Sequence, residues 1–491
     1  MKLYFIGHDY KYAAEQMLLT LFPDQRPEYP DAPPQEGEDC LTLSLYKGTQ
    51  WVTASARLVR NGACHTVRRR CRVQELGDDP VTCDRACQRI LKLAFYQAGV
   101  QSLGAQPPWG ALTGVRPVKI PTKAILAGKT PAQARQILER EYHVSPDRAQ
   151  LAMDCAGASL AVDRSLKADE VSLYAGIPFC PTRCAYCSFI CADVGRSLKM
   201  VAPYLDALLK EVEHAGAALK AAGKHIRSLY VGGGTPTTLD ADQLDVLLSK
   251  MEQCLPLDRC TEYTVEAGRP DTITREKLLV LREHGIGRIS INPQTLEDHV
   301  LEAIGRQHSA GDIAAANELA RQIGFDCINM DLIAGLPRDS FAGFRRSLEG
   351  VLDMKPENIT VHTLALKRGS RLMEQGGAIP SGEEVARMLD FSNEALRAAG
   401  YLPYYLYRQK YMSGSLENVG WALPGKENVY NICMMEELHS VLSLGAGGVT
   451  KLVDRRTGAI RRITNPKFPY EYIEQLPQIL EQKQTLWSDE G

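Results

Sequence analysis

The sequence predicts an α/β protein: a partial (β/α)6 barrel over residues 166–375, preceded by an α/β accessory domain over 1–165 and followed by a small α+β domain over 376–491. Three observations carry this. Between residues 171 and 366 the apolar runs VSLYAGIP, RSLYVGG, TEYTVEA, RISINPQ, CINMDLIAG and NITVHTLAL alternate with amphipathic helical stretches. Such alternation implies right-handed crossovers and a parallel sheet, and six units in place of eight leave the barrel open. The pattern is mixed before this region, and the repeat is lost after it.

Taken in order, the alternating runs at 40–46 and 51–58 read as strands, 84–97 as a helix and 106–110 as a Pro-rich loop. In the barrel, function is expected at the C-terminal ends of the strands. A helix over 381–400 follows. The Tyr-rich YLPYYLYRQKYM and Gly-rich LSLGAGGVTKL come next, read as a third domain on the barrel mouth, and an amphipathic helix over about 470–486 closes the chain.

A chain of 491 residues holds about three domains at ~150 residues each. Hydrophobic residues at 44% and charged residues at 24% exclude wholesale disorder, collagen and coiled coil. The 57 Lys and Arg nearly cancel 59 Asp and Glu, so no nucleic-acid partner is expected and any basic site must be local. MKLYFIGHDYKY breaks its apolar run at His8 and Asp9, and no later stretch approaches ~18 uninterrupted apolar residues. No membrane span and a cytoplasmic location are therefore expected. Fourteen Cys are too few for a disulfide scaffold, and in a reducing compartment clustered Cys suggest metal or redox work.

Cys180, Cys184 and Cys187 stand as C-x3-C-x2-C in GIPFCPTRCAYCSF, directly after the first barrel strand. Iron-sulfur cubanes normally take four thiolates, so three on one loop leave one iron of a [4Fe-4S] cluster without a protein ligand. An open metal position is a place for chemistry. A zinc knuckle is disfavoured, because no His or fourth Cys lies at zinc spacing. YVGGGTPT ends the second strand, where Gly232, Gly233, Gly234 and Thr235 form either a tight strand-to-helix turn or a place for backbone to approach a ligand. Glu266, Gln294, Arg306 and Asp331 also fall at the barrel top, as ligand contacts or as solvated caps.

With these residues the sequence resembles the radical S-adenosylmethionine (SAM) superfamily, whose C-x3-C-x2-C binds the cluster while SAM chelates the open iron. Together they resemble its coproporphyrinogen-dehydrogenase branch, the oxygen-independent coproporphyrinogen III oxidases, in which Tyr174, Gly233, Gly234, Thr235, Glu266, Gln294, Arg306 and Asp331 fall on positions that line SAM. PPWGALTGVRPVKI, ENVGWALPGKENVYN and LGAGGVTK extend the resemblance to the longer HemZ type of that branch. It implies a [4Fe-4S] cluster and SAM as cofactors, a porphyrinogen substrate whose two propionates become vinyl groups, and a low-potential electron donor, flavodoxin or ferredoxin. It assigns no catalytic residue beyond these.

Two departures matter. Ser188 and Phe189 follow Cys187 where the well-characterised dehydrogenases carry a further Cys, as in the heme-chaperone branch, and the next Cys is Cys191. The chaperones' His-Asn-x-x-Tyr-Trp signature reads here Glu417-Asn418-Val419-Gly420-Trp421, so their His ligand is absent. The dehydrogenase reading is favoured over a heme chaperone or a radical SAM enzyme with another substrate. Arg408, Lys410, Lys426 and Lys451, among Tyr404, Tyr405, Tyr407 and Tyr411, suit either capture of a tetracarboxylate macrocycle or a Tyr-rich core with snorkelling cations. Cys64, Cys71, Cys83 and Cys87 match no ligand spacing, and Arg68, Arg69 and Arg70 read as a solvated strand whose alternating faces split them.

Overall fold

The computed structural model describes all residues except 78, 188–191, 366–369, 373–378, 410–414 and 488–491. It divides into two compact units: residues 1–153 with 408–416, and residues 154–407 with 417–491.

The first unit is a four-stranded sheet, β1 (Lys2–Ile6), β2 (Cys40–Lys47), β3 (Trp51–Arg60) and β4 (Ala63–Arg72), paired in that order. The helices Lys11–Leu21 and Pro80–Leu103 pack on one face of it, where Leu41, Leu43, Val52, Ala54, Ala56 and Leu58 meet Met17, Leu18, Leu91 and Phe95. The longer helix starts at Asp79, whose carboxylate accepts the Thr82 N–H, and stops at Gly104, whose φ of 68° a side chain would resist.

The second unit carries the six expected strands: β5 (Glu170–Ile177), β8 (His225–Gly233), β9 (Glu262–Gly268), β10 (Arg288–Gln294), β11 (Cys327–Ala334) and β12 (Asn358–Thr363), all parallel. The short strands β6 (Phe179–Cys180) and β7 (Ala192–Asp193) pair with each other beside them. Alternation along the six strands sorts the side chains. Leu173, Val231, Val265, Ile289, Met330 and Val361 are buried on one face, while Tyr174, Tyr230, Glu266, Asp331 and His362 stand on the other. The barrel's inner face is thus polar and aromatic instead of aliphatic.

The expected third domain over 376–491 is not a separate unit. An open barrel leaves two unpaired sheet edges, which a folded chain must cover. Residues from this region do so, giving one eleven-stranded sheet among the described residues. On one side β14 (Glu417–Ala422) runs antiparallel to β12, with β13 (Leu402–Arg408) beyond it. On the other, β15 (Val441–Leu444) runs parallel to β5, followed by antiparallel β16 (Val449–Val453) and β17 (Ile460–Thr464). The boundary drawn at 165 shifts to 153, within the helix Pro146–Ser165. The closing helix is two, Pro469–Glu474 and Leu476–Gln484.

Candidate functional site

Strand β5 ends at Ile177, Pro178 turns the chain, and the cysteine loop follows. Cys184 is buried, and Cys180 and Cys187 are half-buried. The loop is held from several sides. The Ala185 N–H donates to the Ile304 carbonyl at 2.9 Å, and the Leu372 N–H to the Ala185 carbonyl at 3.0 Å. From the end of β9, Arg269 Nη1 donates to Thr182 Oγ1 at 2.7 Å and to the Thr182 carbonyl at 3.2 Å. Arg269 is itself gripped by Asp271 in a bidentate pair at 2.9 and 2.8 Å, with His308 3.7 Å behind that carboxylate. Burial alone would raise the Asp271 carboxyl, but His308 and Arg269 outweigh it and hold it well below the usual range.

Arg306 reaches the same loop: its Nη2 donates to Tyr186 Oη at 3.0 Å and its Nη1 to the Asn292 carbonyl at 3.3 Å. Its Nε is buried with no hydrogen-bond partner, a donor beside the cysteine loop that the protein leaves unused.

The glycine segment lies against this loop. A Cβ at Gly234 would meet the Phe179 carbonyl oxygen at 2.5 Å, so only glycine lets the end of β8 approach the strand that carries Cys180. Gly233 sits at φ 112° with its backbone exposed. Next to it, the Thr235 N–H donates to the Phe179 carbonyl at 2.7 Å and its hydroxyl to Cys180 Sγ at 3.6 Å. A hydroxyl donated to sulfur favours the thiolate, the form that binds iron.

Across the inner face, Tyr230 Oη donates to Glu266 Oε1 at 2.6 Å. Burial pushes the Glu266 carboxyl up to about 7; the Tyr230 hydrogen bond opposes this, and the neighbouring Asp331 charge adds to it. Asp331 is held by Asn329 Nδ2 at 2.8 Å, with His362 Nε2 3.7 Å away, and these lower its carboxyl against the burial that would raise it. Two carboxyls on neighbouring parts of one sheet thus titrate apart. Gln294 ends β10 in the left-handed region at φ 71°, where a register shift interrupts the pairing. Tyr174 stacks with Tyr230 and Tyr430 at 6.3 Å each.

The structure therefore brings Tyr174, Gly233, Gly234, Thr235, Glu266, Gln294, Arg306 and Asp331 to one end of one sheet with the cysteine loop. Among the described residues no three His, Cys, Asp or Glu side chains converge as a single-ion site requires. A cubane places each thiolate on a different iron and does not need that convergence. The exposed Gly233 backbone, the unused Arg306 Nε and the hydroxyl on Cys180 fit a cluster with a polar ligand beside it.

His362, read from sequence as either a core histidine or a substrate contact in the sixth strand, stands 3.7 Å from Asp331. Several residues here had no sequence signal of their own. Arg269, Asp271 and Tyr186 gain meaning only from contacts across the barrel. So does a buried network behind β15, where Glu211 accepts from Tyr472 Oη at 2.6 Å, the Gly445 N–H at 2.7 Å and Asn465 Nδ2 at 3.0 Å, with Lys483 Nζ at 3.4 Å. It fixes the LGAGG turn, in which a Cβ at Gly445 would meet the Gly176 carbonyl at 2.5 Å.

Of the two readings left open for the C-terminal cations, the Tyr-rich core with snorkelling cations is the one that the described residues follow, Tyr404 and Tyr405 being buried. Arg408 belongs to the first unit, caged by the Leu112 and Ser415 carbonyls and lying 5.6 Å from the Trp109 ring. Lys426 Nζ donates to the Asp326 carbonyl, near the N-terminal start of β11, and Lys451 Nζ donates to the Met434 carbonyl. Both are spent on backbone oxygens, as snorkelling structural lysines are. Lys410, Tyr411, Ser188, Phe189 and Cys191 lie outside the described residues. No helix among the described residues is long and apolar enough to cross a membrane.

Residues 174–348 match the radical SAM superfamily model. The chain is 41% identical over 385 residues to the oxygen-independent coproporphyrinogen-III oxidase-like protein HemZ of Bacillus subtilis, covering 77% of each chain. It is 34% identical over 238 residues to the heme chaperone HemW of the same organism, covering 48% of this chain and 62% of that one. Among solved structures, coproporphyrinogen III oxidase (HemN) from Escherichia coli superimposes with a TM-score of 0.52 at 24% identity, covering 65% of this chain and 72% of that one.

Proposed function

The chain belongs to the radical SAM superfamily, in the family of oxygen-independent coproporphyrinogen-III-oxidase-like proteins, and from that premise we propose that it converts coproporphyrinogen III to protoporphyrinogen IX. Proteins of this superfamily use a [4Fe-4S] cluster and SAM, which, when bound and reduced by one electron, supply a 5'-deoxyadenosyl radical able to take hydrogen from an unactivated carbon. In this reading Cys180, Cys184 and Cys187 hold the cluster. The Gly233 and Gly234 backbone and Thr235 frame SAM's amino-acid end, and Tyr174, Glu266, Gln294, Arg306 and Asp331 line the rest. Arg269 and Arg306 keep the cysteine loop in place. Orientation is the protein's main contribution, since a misplacement of ~1 Å can cost on the order of 100-fold.

Glu417 carries the enzyme reading over the chaperone one. It stands where the heme chaperones have their His, it is fully buried in β14, and its carbonyl accepts the Thr363 hydroxyl at 2.7 Å. A buried carboxylate is a poor axial ligand beside imidazole. Each of two propionates would lose one hydrogen atom to the 5'-deoxyadenosyl radical and then CO2 and one electron, the electron passing to an acceptor, to become a vinyl group, with flavodoxin or ferredoxin as the source of the electron that reduces the cluster.

The test is anaerobic incubation of reconstituted protein with coproporphyrinogen III deuterated at the propionate β-carbons, SAM and a low-potential reductant. Protoporphyrinogen, methionine and labelled 5'-deoxyadenosine are expected together. Unlabelled 5'-deoxyadenosine without tricarboxylic or dicarboxylic product sinks the substrate assignment. Saturable hemin binding at one per chain, with no turnover, favours the chaperone.

A further inference from the structure

The four-stranded sheet of the first unit has helices on one face only. Along β2 and β3 buried residues alternate with half-buried or exposed ones and β4 holds no buried residue, so the second face is open to solvent except at Cys40 and Val59. The pairing register puts Lys2 and Tyr4 of β1, Thr42, Ser44 and Tyr46 of β2, Trp51, Thr53, Ser55 and Arg57 of β3, and Arg68, Arg70 and Arg72 of β4 on this face. The arginine run is the solvated strand with split faces that the sequence suggested, Arg68, Arg69 and Arg70 all being exposed. Alternation does send Arg69 to the other side, but it leaves three arginines in one row, and Arg57 on the neighbouring strand joins them.

The composition of these strands is one-sided. None of the four contains an Asp or Glu, although the chain as a whole is close to neutral. Glu38 from the preceding loop pairs with Lys2, which neutralises that corner. Arg57, Arg68 and Arg70 meet no carboxylate among the described residues. Trp51 is half-buried, with the Arg70 guanidinium 4.5 Å and the Arg72 guanidinium 5.5 Å from its ring centroid. Tyr46 is 72% exposed beside them.

A row of unpaired arginines keeps its charge in solution only because water and counterions screen it, and a polyanion replaces those counterions with a gain in entropy. Alternate residues of a strand lie about 7 Å apart, comparable to successive phosphates on an extended single strand. Flat side chains on the same face as the cations, Trp51 at the Arg72 end and Tyr46 on β2, give unpaired bases something to stack on, the arrangement by which open four-stranded sheets hold single-stranded RNA. An acidic protein would use the charge but not the aromatic faces, and a duplex presents no unpaired bases to them. We propose that the open β1–β4 face binds single-stranded nucleic acid, with phosphates on Arg57, Arg68, Arg70 and Arg72 and bases on Trp51 and Tyr46. This rests on none of the radical chemistry above.

The experiment uses the full chain and fluorescein-labelled 12-nucleotide single strands of mixed sequence, one RNA and one DNA, followed by anisotropy between 50 and 300 mM NaCl. Four phosphate contacts predict a slope of log affinity against log salt of about −3, from about −0.7 per contact. Arg68→Ala/Arg70→Ala should halve that slope and weaken binding more than about tenfold. Trp51→Ala should weaken it about 5- to 150-fold, with Trp51→Phe retaining most of the affinity. Tighter binding of RNA than DNA would mean that 2'-hydroxyls are contacted, and equal binding that only phosphates and base faces are; both support the proposal. Three results overturn it: no saturable binding at 50 mM NaCl, equal binding of polyglutamate or of duplex, or unchanged binding by the arginine double variant. Those two arginines are exposed, so their replacement tests the face even where Trp51→Ala fails to fold, and matching circular dichroism confirms the fold.

Discussion

Replacing Arg269 by Ala removes the link between the end of β9 and the cysteine loop. Four hydrogen bonds go at once: two to Thr182 and two to Asp271. The Arg269 side chain is 3% exposed and that of Asp271 is 23% exposed, so the pair is well shielded on one side and partly wet on the other. Breaking a buried pair costs about 3–5 kcal/mol, and the wet side places this one near 3 kcal/mol. At roughly 2–4 °C per kcal/mol for a unit of this order of size, the melting temperature should fall by about 6–12 °C. The local effect should be larger than the global one, because Thr182 lies between Cys180 and Cys184. Iron per chain after anaerobic reconstitution should drop below half, while Arg269→Lys, which restores one donor, should recover part of it.

The pH dependence follows with a definite sign. A carboxyl held below its unfolded pKa contributes stability that is fully present above the usual carboxylate range near 4 and lost as pH falls through its own lower value. The acid limb of the unfolding curve should therefore move to higher pH in Arg269→Ala. Unchanged iron loading with a melting temperature within about 1 °C of wild type would refute the clamp.

Glu266→Gln should change the pH dependence in the opposite direction. A carboxyl raised to about 7 by burial costs stability as pH rises from its unfolded value toward 7, so in protein without SAM the Gln variant should be more stable at pH 8, by roughly 3 kcal/mol, and equal to wild type below about pH 4; a pH-independent difference in chemical denaturation would contradict the assignment. Lys483→Met and Glu211→Gln should each destabilise the second unit by about 3–5 kcal/mol, since each leaves a buried partner uncompensated, and the double variant by clearly less than their sum. Strict additivity in a denaturant cycle would show that the two do not act as a pair.

The six barrel strands were legible because each is a short apolar run bounded by turn residues, and the cysteine loop because its spacing is local. C-x3-C-x2-C directly after a strand restricts the chemistry before any coordinate is known. The glycines of YVGGGTPT were legible as a motif, but their reason is tertiary: Gly234 is needed because the Phe179 backbone passes 2.5 Å from where its Cβ would stand.

Other features depend on contacts between residues far apart in sequence, and no window along the chain reports those. The C-terminal residues looked like a third domain because their repeat stops, yet they cover both edges of the open sheet, an arrangement dictated by unpaired backbone groups and not by side-chain pattern. For Lys426 and Lys451 the sequence left substrate cations and snorkelling core lysines equally open, and the fold decides for the second by committing them to backbone carbonyls. The arginine run has the converse history. The alternation was legible in the run itself, but only pairing with β3 set Arg57, Arg68, Arg70 and Arg72 on one sheet face, with Arg70 and Arg72 against the Trp51 ring. Local spacing decides which atoms a loop can offer a metal; the company a charged side chain keeps is decided by strand register and by which face the helices leave open.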